Sequence, residues 1–431
     1  MLADAARSAL FSLVGSACCD LATRVDADQF RHGIAYYDSE RDKEITKLPE
    51  FAGATATLQA EPAIIGAYGS DNVHRLAVQF VYNTIRLLDS SGNCTAAFGV
   101  AWSALAAETA DPNWRFAAVA NLNNFSYDGD IADLGNGVSV QGRSFERLKE
   151  TLHFDQVDFD RLSEDWSAGG GASSHILVVT TSQPKSPTNF ILSSDGAAYG
   201  LAARALLAMR LIGPGDLHIG RMSLHRPGRF NVGVGGRSYS GWTIWRPGTA
   251  YRLSDEMLPA IREQADTLAA VEKDLQSSAR HIGLAVRSFS SIYDRLLHQA
   301  EDCVIDSITA LEALWKLDTE LSFRLAFRTA SLLGLADHGR EQIFRTLRTY
   351  YKIRSKIVHG GGLSDKEREQ MLKDEPLREI VRQMLRGFIY LLAHPGEWTV
   401  GRVMSDPDLL LLHTENRLSV QKAMRYVQPE R

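Results

Sequence analysis

Tyr351-Lys352-Ile353-Arg354-Ser355-Lys356-Ile357-Val358-His359-Gly360 closes the clearest helical pattern in the chain. Ile343, Leu347, Tyr350 and Ile357 form its apolar stripe, and Gly360-Gly361-Gly362 stops it. The spacing predicts an amphipathic helix with a glycine terminator. Working outward, the same period recurs in Ile282, Ala285, Phe289, Ile292 and Leu296, then in Val304, Ile308, Leu311 and Trp315. It continues in Phe323, Phe327, Ala330 and Leu333, and in a last helix over residues 377–392. Between Pro259 and Pro395 the only proline is Pro376. Stripes of this width bury a shared core, so residues 255–395 are read as an antiparallel helical bundle.

Upstream the texture is mixed. Residues 72–88 and 197–211 have helical spacing, and residues 145–153 suggest a short helix. Residues 121–137, rich in Asn, Asp and Gly, read as loop. A linker-like run, Ser167-Ala168-Gly169-Gly170-Gly171-Ala172-Ser173-Ser174, precedes a β-branched apolar strand at residues 175–181. Residues 217–224, 230–234 and 242–245 look like further short strands. The fold expected is therefore α+β and multidomain. Residues 1–165 form a mixed α/β region, a strand-rich segment at 175–250 packs with it, the bundle spans 255–395, and a tail spans 396–431.

A chain of 431 residues exceeds one ordinary core and suggests two or three domains. Its 45% hydrophobic and 23% charged residues are those of a globular protein. Cys18, Cys19, Cys94 and Cys303 have neither zinc nor disulfide-framework spacing, which fits a reducing cytoplasm. The apolar run at residues 10–14 is short and flanked by Asp4 and Asp20, so it reads as an amphipathic first helix rather than an export signal. No membrane span is expected.

A net charge of −5 speaks against general nucleic-acid binding. Locally the balance reverses. Arg340, Arg345, Arg348, Lys352, Arg354 and Lys356 share one helix and only Glu341 opposes them. Such a helix binds phosphates, or else presents a solvated face. Within it, Arg354 and His359 pair two functions. A guanidinium fork matches phosphate oxygens, and a histidine exchanges a proton near neutral pH. Cutting RNA without a metal needs a base for the ribose 2′-OH and a cation for the charged transition state. The alternative is a surface ion pair and a C-terminal cap.

The blocks Ala310-Leu311-Glu312-Ala313-Leu314, Glu320-Leu321-Ser322-Phe323-Arg324-Leu325-Ala326 with Arg328, and Tyr351 to Gly360 resemble the HEPN superfamily. Within it they resemble the Apea-like branch of bacterial defence proteins. The resemblance covers about residues 255–395. It implies a helical bundle that dimerises, with Arg-x4–6-His motifs meeting at the dimer interface. It further implies metal-independent endoribonuclease chemistry without a cofactor, leaving a 2′,3′-cyclic phosphate and a 5′-OH. Onto this chain it carries Arg354 as phosphate ligand and His359 as proton-transfer group. Ser355 stands where the family often has Asn, Asp or His. Arg345, Arg348, Lys352 and Lys356 are the expected RNA-binding cations.

Glu312 has two readings, orienting Arg354 or pairing with Arg324 or Arg328. Tyr351 is open between base stacking and a packing role. The branch implies RNA as substrate, host or tRNA cleavage in antiphage defence, and control by the N-terminal region through a phage-derived or nucleotide trigger. The competing reading is a non-catalytic dimerisation or binding module. Other patterns carry little. Asp128-Gly129-Asp130 with Asp133 lacks calcium-loop spacing, and Gly233-Val234-Gly235-Gly236 opens no helix. His175, His218 and His225 lack a carboxylate at ligand spacing, and Trp102, Trp114 and Trp166 read as core.

Overall fold

A computed structural model describes residues 2–21, 39–88, 93–152, 174–185, 193–225, 238–239, 248–294, 300–317, 320–334 and 337–425. Most of the glycine-serine run, the expected strands at 230–234 and 242–245, Leu296, Trp166 and the Gly233–Gly236 motif lie outside them. Helices come first: α1 (Asp4–Leu21), α2 (Ser39–Thr46), α3 (Pro49–Gln59), α4 (Pro62–Tyr68), α5 (Val73–Arg86) and α6 (Cys94–Ala110). Strands follow, β1 (Asn113–Asn123), β2 (Phe125–Tyr127), β3 (Ile131–Gly135) and β4 (Val138–Gly142). Next come α7 (Phe145–Leu152), β5 (His175–Pro184), α8 (Ser193–Ile212), β6 (His218–His225), β7 (Ser238–Tyr239) and β8 (Tyr251–Leu253). The remainder is helical: α9 (Leu258–Gln276), α10 (Arg280–Asp294), α11 (Ala300–Trp315), α12 (Leu321–Leu333) and α13 (Asp337–Val358). Then follow α14 (Asp365–Leu372), α15 (Glu375–Ala393), α16 (Val400–Ser405), α17 (Pro407–Leu412) and α18 (Thr414–Ala423). The architecture is mostly helical α+β, and among the described residues no helix is long and apolar enough to cross a membrane.

The chain divides into two units. One comprises Met1–Asn121, Asn136–Ala202 and Gly220–Thr243, the other Leu122–Gly135, Ala203–Ile219 and Ile244–Arg431. These boundaries differ from the sequence expectation, since the chain changes unit within β1 and within α8.

In the first unit α1 buries Ala6, Leu10, Leu13, Val14 and Ala17 in a core shared with α3, α5 and α6. Burying each of the larger side chains contributes on the order of 2 kcal/mol. The strands run in the order β4-β5-β1-β6-β7, with β5 antiparallel to both neighbours. Trp114 and Phe116 of β1 join the helical core, while Ala117, Val119, Ile176 and Val178 pack with Leu148 of α7. The expected loop at 121–137 instead contains the end of β1, β2 and β3. Asn136 and Gly137 both have positive φ, as Asn-Gly in a tight strand turn requires, and that dipeptide was the signal passed over.

In the second unit α15 packs against α9, α10, α11, α12 and α13. Its Leu377, Val381, Met384, Leu385 and Phe388 are buried, as are Ile261, Phe289, Ile308, Leu325 and Leu347 on the surrounding helices. Trp315 lies edge-on to Phe388 at 5.5 Å and donates its Nε1–H to Thr329 at 2.9 Å. The tail at 396–431 belongs to this unit. Asp408 of α17 grips Arg328 through both oxygens at 2.6 and 2.8 Å, and Gln421 of α18 donates to the Leu332 carbonyl at 2.8 Å. Residues 203–219 belong here because α15 holds them with charge. Arg378 meets Asp216 at 2.5 Å, and Arg382 donates its Nε–H to the Arg210 carbonyl at 2.8 Å.

Candidate functional site

The site is built on the last two turns of α13. Leu347, Tyr350 and Ile353 bury one face of this helix. The Tyr350 hydroxyl donates to the carbonyls of Gln370 and Lys373 at 3.1 and 2.9 Å. Burial first, and then the Asp374 carboxylate, push that phenol up to about 12. The helix is thereby held in place next to the groups that follow.

Arg354 is partly buried and points to α11, where its Nη2 lies 3.5 Å from Glu312 Oε2. Its guanidinium carbon is 5.8 Å from the centre of the Tyr351 ring. Burial, and next the Glu312 carboxylate, hold the Tyr351 phenol above its ordinary range, while Arg354 works the other way. The three side chains form one group. It is incompletely bonded: the buried Arg354 Nε and Glu312 Oε1 have no hydrogen-bond partner. Of the two sequence readings of Glu312, the structure supports the pairing with Arg354. Arg324 instead pairs with Glu320 at 3.4 Å, and Arg328 with Asp408.

His359 stands just past the helix, exposed. The cap is a Schellman motif. Gly361 N–H donates to the Lys356 carbonyl at 2.7 Å, Gly360 N–H donates to the Ile357 carbonyl at 3.1 Å, and Gly360 has φ +69°. A Cβ at Gly360 would meet nothing within 4 Å, so its cost is purely conformational. Gly360→Ala is expected to destabilise by about 1 kcal/mol, against almost nothing for Gly362→Ala, measured by chemical denaturation. Equal effects of the two changes would contradict the cap. On an ideal helix Arg354 and His359 lie about 140° apart in rotation and about 7.5 Å in rise. One chain therefore presents them on different faces, and no contact joins them among the described residues.

The expected cations are distributed unevenly. Arg345 forms a surface pair with Glu341 at 2.5 Å, and Arg348 donates to the Ser322 hydroxyl at 3.1 Å. Lys352 is exposed, and Ser355 is partly buried. Lys356 is engaged by Glu367, which receives its ammonium on both oxygens at 2.8 Å. Glu367 also accepts from the Ser364 backbone N–H and hydroxyl, each at 2.9 Å, in the capping box of α14. Sequence reasoning missed Glu367, although Ser364-x-x-Glu367 is a readable capping signature. The Lys356 hydrogen bond foremost, then those from Ser364, hold the Glu367 carboxyl down at about 2.

A depressed carboxyl contributes stability above its unfolded pKa and loses it as pH falls through the folded one. The stability gap between the wild type and Glu367→Gln is thus expected to be constant above the ordinary value of 4.5 and to close toward about 2. Thermal denaturation across that window measures it, and a gap undiminished at about pH 3 would contradict the pairing.

Among the described residues no group of three His, Cys, Asp or Glu side chains is arranged to hold a metal ion. Compared with family models, with curated proteins and with solved structures, the chain finds no match in any of the three.

Proposed function

We propose that this chain is a metal-independent endoribonuclease of the HEPN type, acting through Arg354 and His359. The observation that supports it most is the incompletely bonded Arg354, backed by Glu312 and Tyr351, five residues before an exposed histidine on a glycine cap. In this reading Arg354 receives the scissile phosphate and stabilises the charge that grows on it. His359 takes the proton from the ribose 2′-OH, the 2′-oxygen attacks phosphorus, the P–O5′ bond breaks, and the departing 5′-oxygen takes a proton from water. The products are a 2′,3′-cyclic phosphate and a 5′-OH. Glu312 positions the guanidinium, and Tyr351 packs beside it.

The separation of Arg354 from His359 on one helix favours a site completed by a second copy of the chain. Exposed Lys352 supplies a phosphate contact, with Arg345 and Arg348 beside it on the same helix and Lys356 available only at the expense of its Glu367 pair. The cellular role in this reading is cleavage of host RNA, tRNA included, during antiphage defence, held in check by the N-terminal region.

The test is incubation of the full chain with labelled tRNA and ribosomal RNA in EDTA, beside His359→Ala. Cleavage by the wild type alone, with cyclic-phosphate ends, is the expected result. RNA binding without cleavage, unchanged in His359→Ala, would replace this reading with a binding module.

A further inference from the structure

Cys18 on α1 and Cys94, the first residue of α6, lie 76 positions apart in sequence, yet their sulfurs are 3.2 Å apart. Both are unbridged and half-buried at the margin of the first unit's helical core. A second contact between the same two helices fixes their register. Phe11 meets Phe98 edge-on at 4.9 Å, so moving forward along α1 corresponds to moving back along α6. The sulfur approach therefore belongs to packed elements and not to a chance meeting of loops. A disulfide needs about 2.05 Å between sulfurs, so closure takes a shift of little more than about 1 Å. Cys303 differs, being buried at 1% exposure. The geometry meets two requirements of an oxidisable dithiol, partial access for a small oxidant and a resolving thiol already in contact.

We propose that Cys18 and Cys94 form a modification site at which a hydroperoxide converts the dithiol to an intramolecular disulfide, clamping α1 to the start of α6. One sulfur attacks a peroxide oxygen and the O–O bond breaks, giving a sulfenic acid and, from hydrogen peroxide, water. The second sulfur attacks the sulfenic sulfur, the S–O bond breaks and a second water leaves. Two thiols are oxidised by two electrons and one peroxide is reduced. In a reducing compartment such a bond is transient and reversed by thiol exchange, which suits a sensor more than a staple.

The experiment treats the reduced full chain with stoichiometric hydrogen peroxide, denatures it, alkylates the remaining thiols and maps the unreduced peptides by mass spectrometry. The expected result is loss of two of the four thiols, a Cys18–Cys94 linked peptide, an unchanged monomer size on a non-reducing gel and full reversal by dithiothreitol. Cys19→Ser should retain the link, while Cys18→Ser and Cys94→Ser should each lack it. The oxidised wild type should melt about 5–10 °C higher, because the loop closed in the unfolded chain is long. Four thiols left free after peroxide, a link to Cys94 that survives Cys18→Ser and vanishes in Cys19→Ser, or disulfides only between molecules would each overturn the proposal.

Discussion

His359→Ala is expected to slow RNA cleavage by about 10²- to 10⁴-fold while leaving RNA affinity close to that of the wild type. The imidazole is exposed at the helix cap and supports no part of the core, so its loss removes a proton acceptor and little else. Arg354→Ala should behave differently. In the proposed mechanism it removes the guanidinium that receives the phosphate and stabilises the transition state, so cleavage is expected to fall by about 10²- to 10³-fold and affinity to fall with it. It also leaves Glu312, already short of partners, without its cation. Single-turnover cleavage together with filter binding separates the two effects. Wild-type cleavage that His359→Ala changes by less than about threefold would remove His359 from the chemistry.

Arg378→Met is expected to destabilise the second unit by about 3–5 kcal/mol, the usual cost of removing one partner from a buried ionic group. Arg378 is 6% exposed and meets Asp216 at 2.5 Å, Glu375 at 2.9 Å and Asp374 at 3.1 Å. Burial alone would discourage its charge, but Asp374, Asp216 and Glu375 outweigh it, and its pKa ends above the ordinary value. Asp216 is bound in turn, accepting the Thr249 N–H at 2.8 Å, so the substitution strands a carboxylate that cannot easily move to water. Adding Asp216→Asn to Arg378→Met should therefore cost much less than the sum of the single changes, as coupled partners do. Urea unfolding of the three variants measures this. A loss below about 1 kcal/mol for Arg378→Met, or strict additivity, would show that the network is not acting as a unit.

The neighbouring arginines extend the same group. Arg382 is 1% exposed, donates to the Arg210 carbonyl, and lies within 3.4 Å of the Tyr293 hydroxyl. Burial lowers the pKa of Arg210, whose guanidinium sits 4.4 Å from the Tyr293 ring centre. These contacts attach residues 203–219 to α15 and account for a unit boundary inside one continuous helix.

Helices α10 to α13 and α15 were legible in residue pattern alone, because each carries an apolar stripe of 3.6-residue period, and Gly334 and Gly360 mark where α12 and α13 stop. The end of α13 was legible as well, since Gly360 is the residue type that a left-handed cap favours. Arg354, His359 and Glu312 were identifiable as chemically apt residues for the same local reason. Their mutual geometry was not, because it depends on how α11 and α13 pack, and no local period encodes a contact 42 residues apart. Tertiary structure likewise decided that Glu367 occupies Lys356, that Asp408 in an apparently detached tail holds Arg328, and that the sulfurs of Cys18 and Cys94 meet. It also decided that β2 is a strand, a three-residue segment ordered by long-range pairing such as that of Phe125 with Tyr251. Local pattern reports the free energy that one segment gains by burying its own face. Pairings between charges, thiols and short strands from distant segments gain theirs only after the core has brought the partners together.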